Sequence, residues 1–146
     1  MYKLDVPSKS DFPLLLKVWE SSVKATHHFL HPDDFEFFKR LIEEENIFDH
    51  LEITVARDAD NNITGMMGVT GDVLDMLFVD AAFIGKGVGK LLILHAINNC
   101  KVTKVDVNEQ NEHAVKFYEH LGFQTVSRSE LDDLGKPYPH LRMERR

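Results

Sequence analysis

The sequence has one cysteine, no long apolar run and an excess of acidic over basic residues. Because Cys100 has no partner in the chain, an intrachain disulfide is excluded, which fits a reducing cytoplasm. No run of about 18 apolar residues exists, so we expect neither a membrane span nor a membrane partner. Residues 1–6 lack the apolar core of a signal peptide, which also favours a cytoplasmic location.

The charge balance disfavours nucleic-acid binding. There are 17 Lys and Arg residues against 24 Asp and Glu, a net charge of −7 with histidine neutral. Nucleic acids bind basic surfaces, so we expect no such partner. Hydrophobic residues make up 43% and charged residues 28% of the 146 positions, as in a packed domain. The length suits one domain spanning residues 1–146.

Hydrophobic spacing predicts an α+β domain with the element order β-α-α-β-β-β-α-β-α-β-β. Apolar residues at helical spacing predict helices over 12–26, from 32 onward, up to about 99, and over 111–121. Alternation with period two predicts strands at 2–6, 51–56, 63–70, 73–79, 101–107, 123–128 and 140–144. Turn residues at 58–62 and 71–72 join three of these strands into an antiparallel meander.

The most informative segment is F-I-G-K-G-V-G-K at residues 83–90, between a predicted strand and a predicted helix. Glycines at such a turn let backbone N–H groups gather around an anion. A nucleoside-triphosphate loop would need glycine at 84 and Ser or Thr at 91, where the chain has Ile84 and Leu91. Residues 83–90 therefore do not match a nucleoside-triphosphate-binding loop.

A dinucleotide loop of the form G-x-G-x-x-G fails on spacing as well. Lys90 and Leu92 stand where its third glycine would be. Asp106 does lie about where a ribose-binding acid would sit. The antiparallel meander before the loop, however, does not suit a doubly wound parallel sheet.

Two motifs resemble the GNAT superfamily of acetyl-CoA-dependent N-acetyltransferases. The loop is similar to motif A, Arg/Gln-x-x-Gly-x-Gly/Ala, whose last four positions match, although Ile84 replaces the usual Arg or Gln. The second motif, N-x-x-A-x-x-(apolar)-Y-x-x-x-G-F, falls on Asn111, Ala114, Phe117, Tyr118, Gly122 and Phe123. Segments 25–30 and 132–139 look more narrowly like the small bacterial YjaB-type members.

The resemblance implies a fold, a cosubstrate and site residues. The fold would be a mostly antiparallel, splayed sheet of about six to seven strands flanked by about four helices. Acetyl-CoA would be held in the splay by Leu77, Phe78, Val79, Ile84, Gly85, Lys86, Gly87, Val88, Gly89, Lys90, Asn111, Ala114, Phe117 and Tyr118. Attack by the acceptor would occur directly in a ternary complex. Tyr118 would be the general acid that protonates the leaving thiolate, because its phenol is protonated at neutral pH.

The acceptor would be an amine that must lose a proton before it attacks. A lysine-like amine has a pKa of about 10.4, so freeing it at pH 7 costs about 4.6 kcal/mol. Asp75 and Asp106 are the first candidates for the base because each interrupts an apolar strand, and Glu52 and His27 are further ones.

Side chains expected to wall the acceptor pocket are His27, Phe29 and Tyr138. His27 and His31 are four residues apart, but no acid lies between them as in H-E-x-x-H and no third ligand is evident, so we expect no metal. The expected partner is an amine-bearing acceptor, either a small molecule or a protein lysine, with the protein a monomer or homodimer. The alternative function is a non-catalytic acyl-CoA sensor, motivated by Ile84 and by the unassigned base.

Overall fold

The computed structural model describes residues 1–146, and its elements follow the predicted order. Its seven strands and four helices are β1 Lys3–Asp5, α1 Phe12–Thr26, α2 Pro32–Glu44, β2 Glu52–Arg57, β3 Ile63–Thr70, β4 Val73–Val79, α3 Val88–Asn99, β5 Lys104–Asn108, α4 Glu112–His120, β6 Phe123–Ser129 and β7 His140–Arg145. No helix combines the length and apolar composition needed to cross a membrane.

The strands form one sheet in the order β1-β2-β3-β4-β5-β7-β6. All neighbours are antiparallel except β4 and β5, which run parallel. These two strands pair only at Val73–Lys104 and Leu74–Val105, so they diverge beyond that point. The predicted splay is therefore confirmed, and it opens toward the C-terminal ends of both strands.

A β-bulge lies where the splay begins. Gly68 of β3 faces Met76 of β4, whereas the next residue, Val69, faces Leu74. Asp75 is consequently left without a partner on β3, and the strand bends there. The bulge also resets which side chains of β4 face each side of the sheet.

Each face of the sheet is covered by two helices and has its own core. Leu92 and Ile93 of α3 pack with Val105 and Phe123 on one face, in a cluster of 15 buried residues. On the other face α1 and α2 enclose a cluster of ten, in which Trp19 and Phe35 stack with ring centroids 5.2 Å apart. Burial of these apolar side chains is the main term that stabilises the fold.

One glycine sets how closely α3 approaches the sheet. A Cβ atom at Gly65 of β3 would lie 2.7 Å from Val88 Cγ1, a distance that real Cβ contacts do not reach. Glycine is therefore required for the first turn of α3 to sit directly on β3. This contact fixes the helix N-terminus beside the splay, where the glycine loop ends.

Two element boundaries differ from the sequence prediction in ways that matter for the site. The strand predicted over 101–107 begins at Lys104, because Lys101 adopts a left-handed turn with φ 59° after α3. Asn111 is not in the first turn of α4 but is its N-cap, and its side chain accepts a hydrogen bond from the N–H of Ala114 at 3.3 Å. That leaves the Asn111 NH₂ group free to donate elsewhere.

Candidate active site

The glycine loop ends at the N-terminus of α3 with its backbone donors free. Gly85 and Gly87 have φ of 81° and 86°, and Gly87 is the N-cap. The N–H groups of Val88, Gly89 and Lys90, the first turn of the helix, donate to no acceptor in the chain. Free N–H groups and the helix dipole together favour an anion at this position.

Open space lies over this turn. A Cβ atom at Gly85 or Gly87 would have no heavy atom within 4 Å, so a ligand can approach the backbone closely there. Lys90 adds a positive side chain to the same wall. The loop can thus hold a phosphate or pyrophosphate group, which is what its spacing predicted.

A groove of about 330 Å³ runs from this loop into the splay. Of the fourteen residues predicted to contact the cosubstrate, twelve line it, and only Lys86 and Val88 do not. Val88 is buried beneath the loop against Gly65, and Lys86 Nζ lies over the Phe83 ring, 5.5 Å from its centroid. Of their two backbone N–H groups, that of Val88 is free for a ligand, whereas that of Lys86 already donates to the carbonyl oxygen of Phe83 at 3.3 Å.

The edge of β4 that faces the splay has backbone groups that are not paired with a neighbouring strand. Val79 N–H points away from β3 and donates to the Oγ of buried Ser22, 3.3 Å away. Backbone groups alternate sides along a strand, so those of Leu77 face the same gap. An extended ligand arm could therefore bond to this edge as an added strand would.

Tyr118 lies in the groove wall and its hydroxyl is open to the groove. The ring is 7% exposed and packs edge-on against Phe117 and Phe123, with centroid distances of 5.4 and 5.7 Å. The Tyr118 hydroxyl has no hydrogen-bond partner in the protein. Every fully buried side-chain oxygen or nitrogen does have one, so the Tyr118 hydroxyl is accessible to solvent in the groove. Burial raises the pKa of Tyr118, which keeps the phenol protonated as a general acid requires.

A second cavity, of about 360 Å³, lies on the α1–α2 side of the splay. All three residues predicted to bind the acceptor, His27, Phe29 and Tyr138, line it. The His27 and Phe29 rings are 5.2 Å apart and the Phe29 and Tyr138 rings 6.2 Å apart, so they form a continuous aromatic wall. We call this space the acceptor cavity and the first one the cosubstrate groove.

The loop that carries Tyr138 is fastened to the start of α2. Tyr138 donates its hydroxyl proton to Asp34 and accepts a hydrogen bond from the N–H of His31 at 3.1 Å. Lys136 Nζ lies 2.8 Å from the other Asp34 oxygen. The hydrogen bonds from Lys136 and Tyr138 hold the pKa of the Asp34 carboxyl below its ordinary value, so it stays ionised and keeps the loop in place.

The predicted candidates for the base lie in different places. Asp106 lines the acceptor cavity but is already bound by Arg142, whose Nε and Nη2 lie 2.5 and 2.9 Å from its two oxygens. Asp75 is exposed at the bulge and lines neither the groove nor the acceptor cavity. Glu52 lies at the start of β2 beside a different surface depression.

His27 is placed differently from these carboxylates, because it and Phe78 line both the groove and the acceptor cavity. Burial, with a smaller contribution from neighbouring His28, lowers the pKa of His27 to about 4. The imidazole is therefore neutral at physiological pH. The structure contains no cluster of three or more His, Cys, Asp or Glu side chains arranged to hold a metal ion.

Four residues of the groove escaped the sequence prediction: Ser22, Thr26, Phe83 and His113. Ser22 and Thr26 are polar positions on the inward side of α1, four residues apart on one helical face. This spacing of polar residues could have indicated the groove from the sequence, but the same spacing is common on helices that only pack against a sheet. His113 follows the cap residue Asn111 in the second motif, at a position the motif leaves free.

The opened sheet, the anion-binding turn and the paired cavities define the acetyltransferase class. A family model described as "Acetyltransferase (GNAT) domain" matches residues 23–145. The chain belongs to this family, and it is an enzyme of the N-acetyltransferase type.

The similar proteins include a curated relative and a solved structure with the same name. The peptidyl-lysine N-acetyltransferase YjaB of Salmonella typhimurium is 39% identical over 131 residues, 88% of each chain. The solution structure of apo YjaB from Escherichia coli superposes with a TM-score of 0.89 at 34% identity, covering 99% of this chain and 97% of that one. The PaiA N-acetyltransferase of Thermoplasma acidophilum, solved with coenzyme A, shares the fold with a TM-score of 0.79 at 20% identity, covering 100% and 99%.

Proposed function

We propose that this enzyme transfers the acetyl group of acetyl-CoA to the ε-amine of a lysine residue. The observation that carries the proposal is the meeting of two cavities at His27 and Phe78. One cavity ends in an anion cradle, as a nucleotide-bearing donor needs. The other is shaped and charged for a long aliphatic amine.

The cosubstrate groove fits the donor on three counts. Free N–H groups at Val88, Gly89 and Lys90 suit its pyrophosphate. The unpaired edge of β4 near Leu77 suits the amides of its pantetheine arm. The free NH₂ group of the cap residue Asn111 adds a donor from the opposite wall.

The acceptor cavity favours an alkylammonium ion over other amines. Eleven of its sixteen lining residues are hydrophobic, which suits the methylene stem of lysine. Asp106 and Asp132 are its charged residues, and no Lys or Arg side chain lines it. Because Arg142 already compensates the charge of Asp106, Asp132 is the carboxylate that attracts the cation, and the apolar walls favour loss of its proton. The peptidyl-lysine activity in the name of the YjaB relatives supports the same acceptor.

Tyr118 would act on the leaving group. As the nitrogen–carbon bond forms, the carbon–sulfur bond breaks and its electron pair moves to sulfur. The open hydroxyl of Tyr118 supplies the proton that converts the thiolate to a thiol. Burial keeps that proton on the phenol until it is needed.

The test is an acetylation assay with three acceptors of different geometry. Purified enzyme and acetyl-CoA would be mixed with a peptide containing one internal lysine, the same peptide with ornithine, or spermidine, and products followed by mass spectrometry and thiol release. We expect acetylation of the lysine side chain, less of the ornithine peptide, whose stem is one methylene shorter, and little of spermidine.

Binding of the donor would be measured separately by calorimetry. Coenzyme A bound without acetylation of any acceptor would indicate a sensor module. Acetylation of spermidine in preference to the peptide would replace the lysine proposal with a polyamine one.

A further inference from the structure

Two of the four groove residues missed by sequence reasoning, Ser22 and Thr26, form a chain of hydrogen bonds with His27. Thr26 Oγ1 donates to the carbonyl oxygen of Ser22 at 2.7 Å. Thr26 Oγ1 also lies 2.7 Å from His27 Nδ1. Both distances are those of good hydrogen bonds.

These two hydrogen bonds fix the tautomer of the His27 imidazole. A threonine hydroxyl has a single proton, and a carbonyl oxygen can only accept. With that proton directed to Ser22, the hydroxyl oxygen must accept from His27, so Nδ1 carries the ring proton. In a neutral imidazole Nε2 is then left with its lone pair.

The remaining nitrogen is open to the reaction space. His27 Nε2 has no hydrogen-bond partner in the protein. Every fully buried side-chain nitrogen does have one, so His27 Nε2 is accessible. The ring lines both the acceptor cavity and the cosubstrate groove. Asp106 lines only the acceptor cavity and Tyr118 only the groove.

We propose that His27 is the base of the reaction, with Thr26 as the positioning residue that presents its Nε2 lone pair to the attacking amine. This rests on the function proposed above. It assigns to His27 the proton that the nitrogen carries once it has bonded to the acetyl carbon, which is a later step than the one for which the sequence left a base open. Asp106 instead stays bound to Arg142.

The proton transfers balance as follows. The neutral amine attacks the acetyl carbon, and the nitrogen becomes positively charged as the new bond forms. His27 Nε2 takes a proton from that nitrogen, the carbon–sulfur bond breaks, and Tyr118 gives its proton to sulfur. One proton then passes through solvent from the imidazolium to the phenolate. The net products are an amide and a thiol, with both side chains restored.

A weakly basic imidazole suits this role. With a pKa of about 4, His27 stays unprotonated at neutral pH and is always available. It is too weak a base to deprotonate a free ammonium ion of pKa about 10.4. The nitrogen becomes much more acidic once it is bonded to the acetyl carbon, and a weak base is then sufficient.

The first test replaces the ring. We expect His27→Gln to lower single-turnover acetylation of the lysine peptide by about 10²–10⁴-fold while coenzyme A affinity is unchanged. His27→Ala should regain activity when free imidazole is added, which a purely structural role would not produce. The matched control is His120→Gln, because His120 is exposed at the end of α4 and lines neither the groove nor the acceptor cavity. Unchanged turnover in folded His27→Gln would overturn the proposal.

The second test does not depend on turnover. In wild-type enzyme with ¹⁵N-labelled histidine, His27 should show a protonated Nδ1 and an unprotonated Nε2 at pH 7. Thr26→Val should release this tautomer and lower the rate about tenfold or more, whereas Thr26→Ser, which keeps the hydroxyl, should restore both. An unprotonated Nδ1 in wild type, or identical behaviour of the Val and Ser variants, would contradict the assignment. If no acceptor is acetylated by wild type, the proposed function fails, and the NMR result still reports on His27.

Discussion

The cosubstrate groove and the acceptor cavity meet at two side chains but are built in different ways. The anion-binding end of the groove consists of backbone groups from one continuous stretch, residues 84–90, set by glycine geometry and a helix start. The acceptor cavity is built of side chains from elements far apart in the chain, such as Trp19, Phe78 and Tyr138. One region is thus encoded locally and the other by tertiary contacts.

This difference bears on which part of the enzyme can change. A backbone cradle tolerates many side chains as long as the glycines keep their φ angles, which suits a donor that does not vary. A cavity of side chains changes shape with each substitution, which suits an acceptor that differs between relatives. We therefore expect substitutions in the two regions to separate into effects on the donor and effects on the acceptor.

Removing the hydroxyl of Tyr118, the proposed acid, should have the largest effect. Tyr118→Phe deletes one hydroxyl from a ring held by Phe117 and Phe123, so the fold should be kept. We expect single-turnover acetylation to fall about 10²–10⁴-fold with coenzyme A affinity unchanged. Rapid-quench kinetics with the lysine peptide would measure it. Full activity in this variant over a range of pH would remove Tyr118 from the mechanism.

Disturbing the backbone of the glycine loop should weaken the binding of the donor and leave the binding of the acceptor unchanged. Gly87→Val places a β-branched residue at φ 86°, which costs about 1–2 kcal/mol unless the loop rearranges. Rearrangement would turn the N–H groups away, and coenzyme A should bind about five- to thirtyfold more weakly in calorimetry. Gly71→Val is the control, since Gly71 has φ 59° in the β3–β4 turn and does not line the groove. Equal loss of affinity in both variants would show a general effect on folding.

Loosening the wall of the acceptor cavity should weaken the binding of the acceptor and leave the binding of the donor unchanged. Tyr138→Phe keeps the ring but removes the hydroxyl that joins Asp34 and the His31 N–H. We expect the KM for the lysine peptide to rise roughly two- to tenfold, the size of one or two hydrogen bonds, with coenzyme A affinity unaffected. Tyr2→Phe serves as the control because Tyr2 lies outside the cavity. A change in coenzyme A affinity would mean that the two regions are not independent.

The smallest effect should come from the loop's atypical residue. Ile84 is 41% exposed at the start of the cradle, where the family usually has Arg or Gln. Ile84→Arg should tighten coenzyme A binding by about 0.2–1 kcal/mol, less than about fivefold, because an exposed charge pair is screened. Ile84→Glu should weaken binding, and Ile84→Gln should fall between them. Calorimetry at low and high salt would detect the trend. Unchanged or weaker binding by the Arg variant would contradict the cradle as described.

The match between prediction and structure follows the same division. The bounds of β3 and β4 were predicted to the residue, because glycine and aspartate turns interrupt clear alternation there. The start of β5 was predicted three residues early, since the left-handed turn at Lys101 has no glycine to mark it. His27 was one of several possible bases in the sequence, and its proximity to both cavities depends on how α1 packs against the splay.

The amino-acid sequence alone determined the order of the elements, the family and the place of the glycine turn before α3. These depend on local backbone preferences and on spacing within short segments, which can be read without knowing what lies nearby. Only the tertiary structure decided the rest: which side chains meet across the splay, that Asp106 is held by Arg142, and that Tyr138 is tied to Asp34. Those pairs are separated by 36 and 104 residues. The pairing of β5 with β7 places Arg142 beside Asp106, and the position of α2 next to the 131–139 segment places Asp34 against Tyr138.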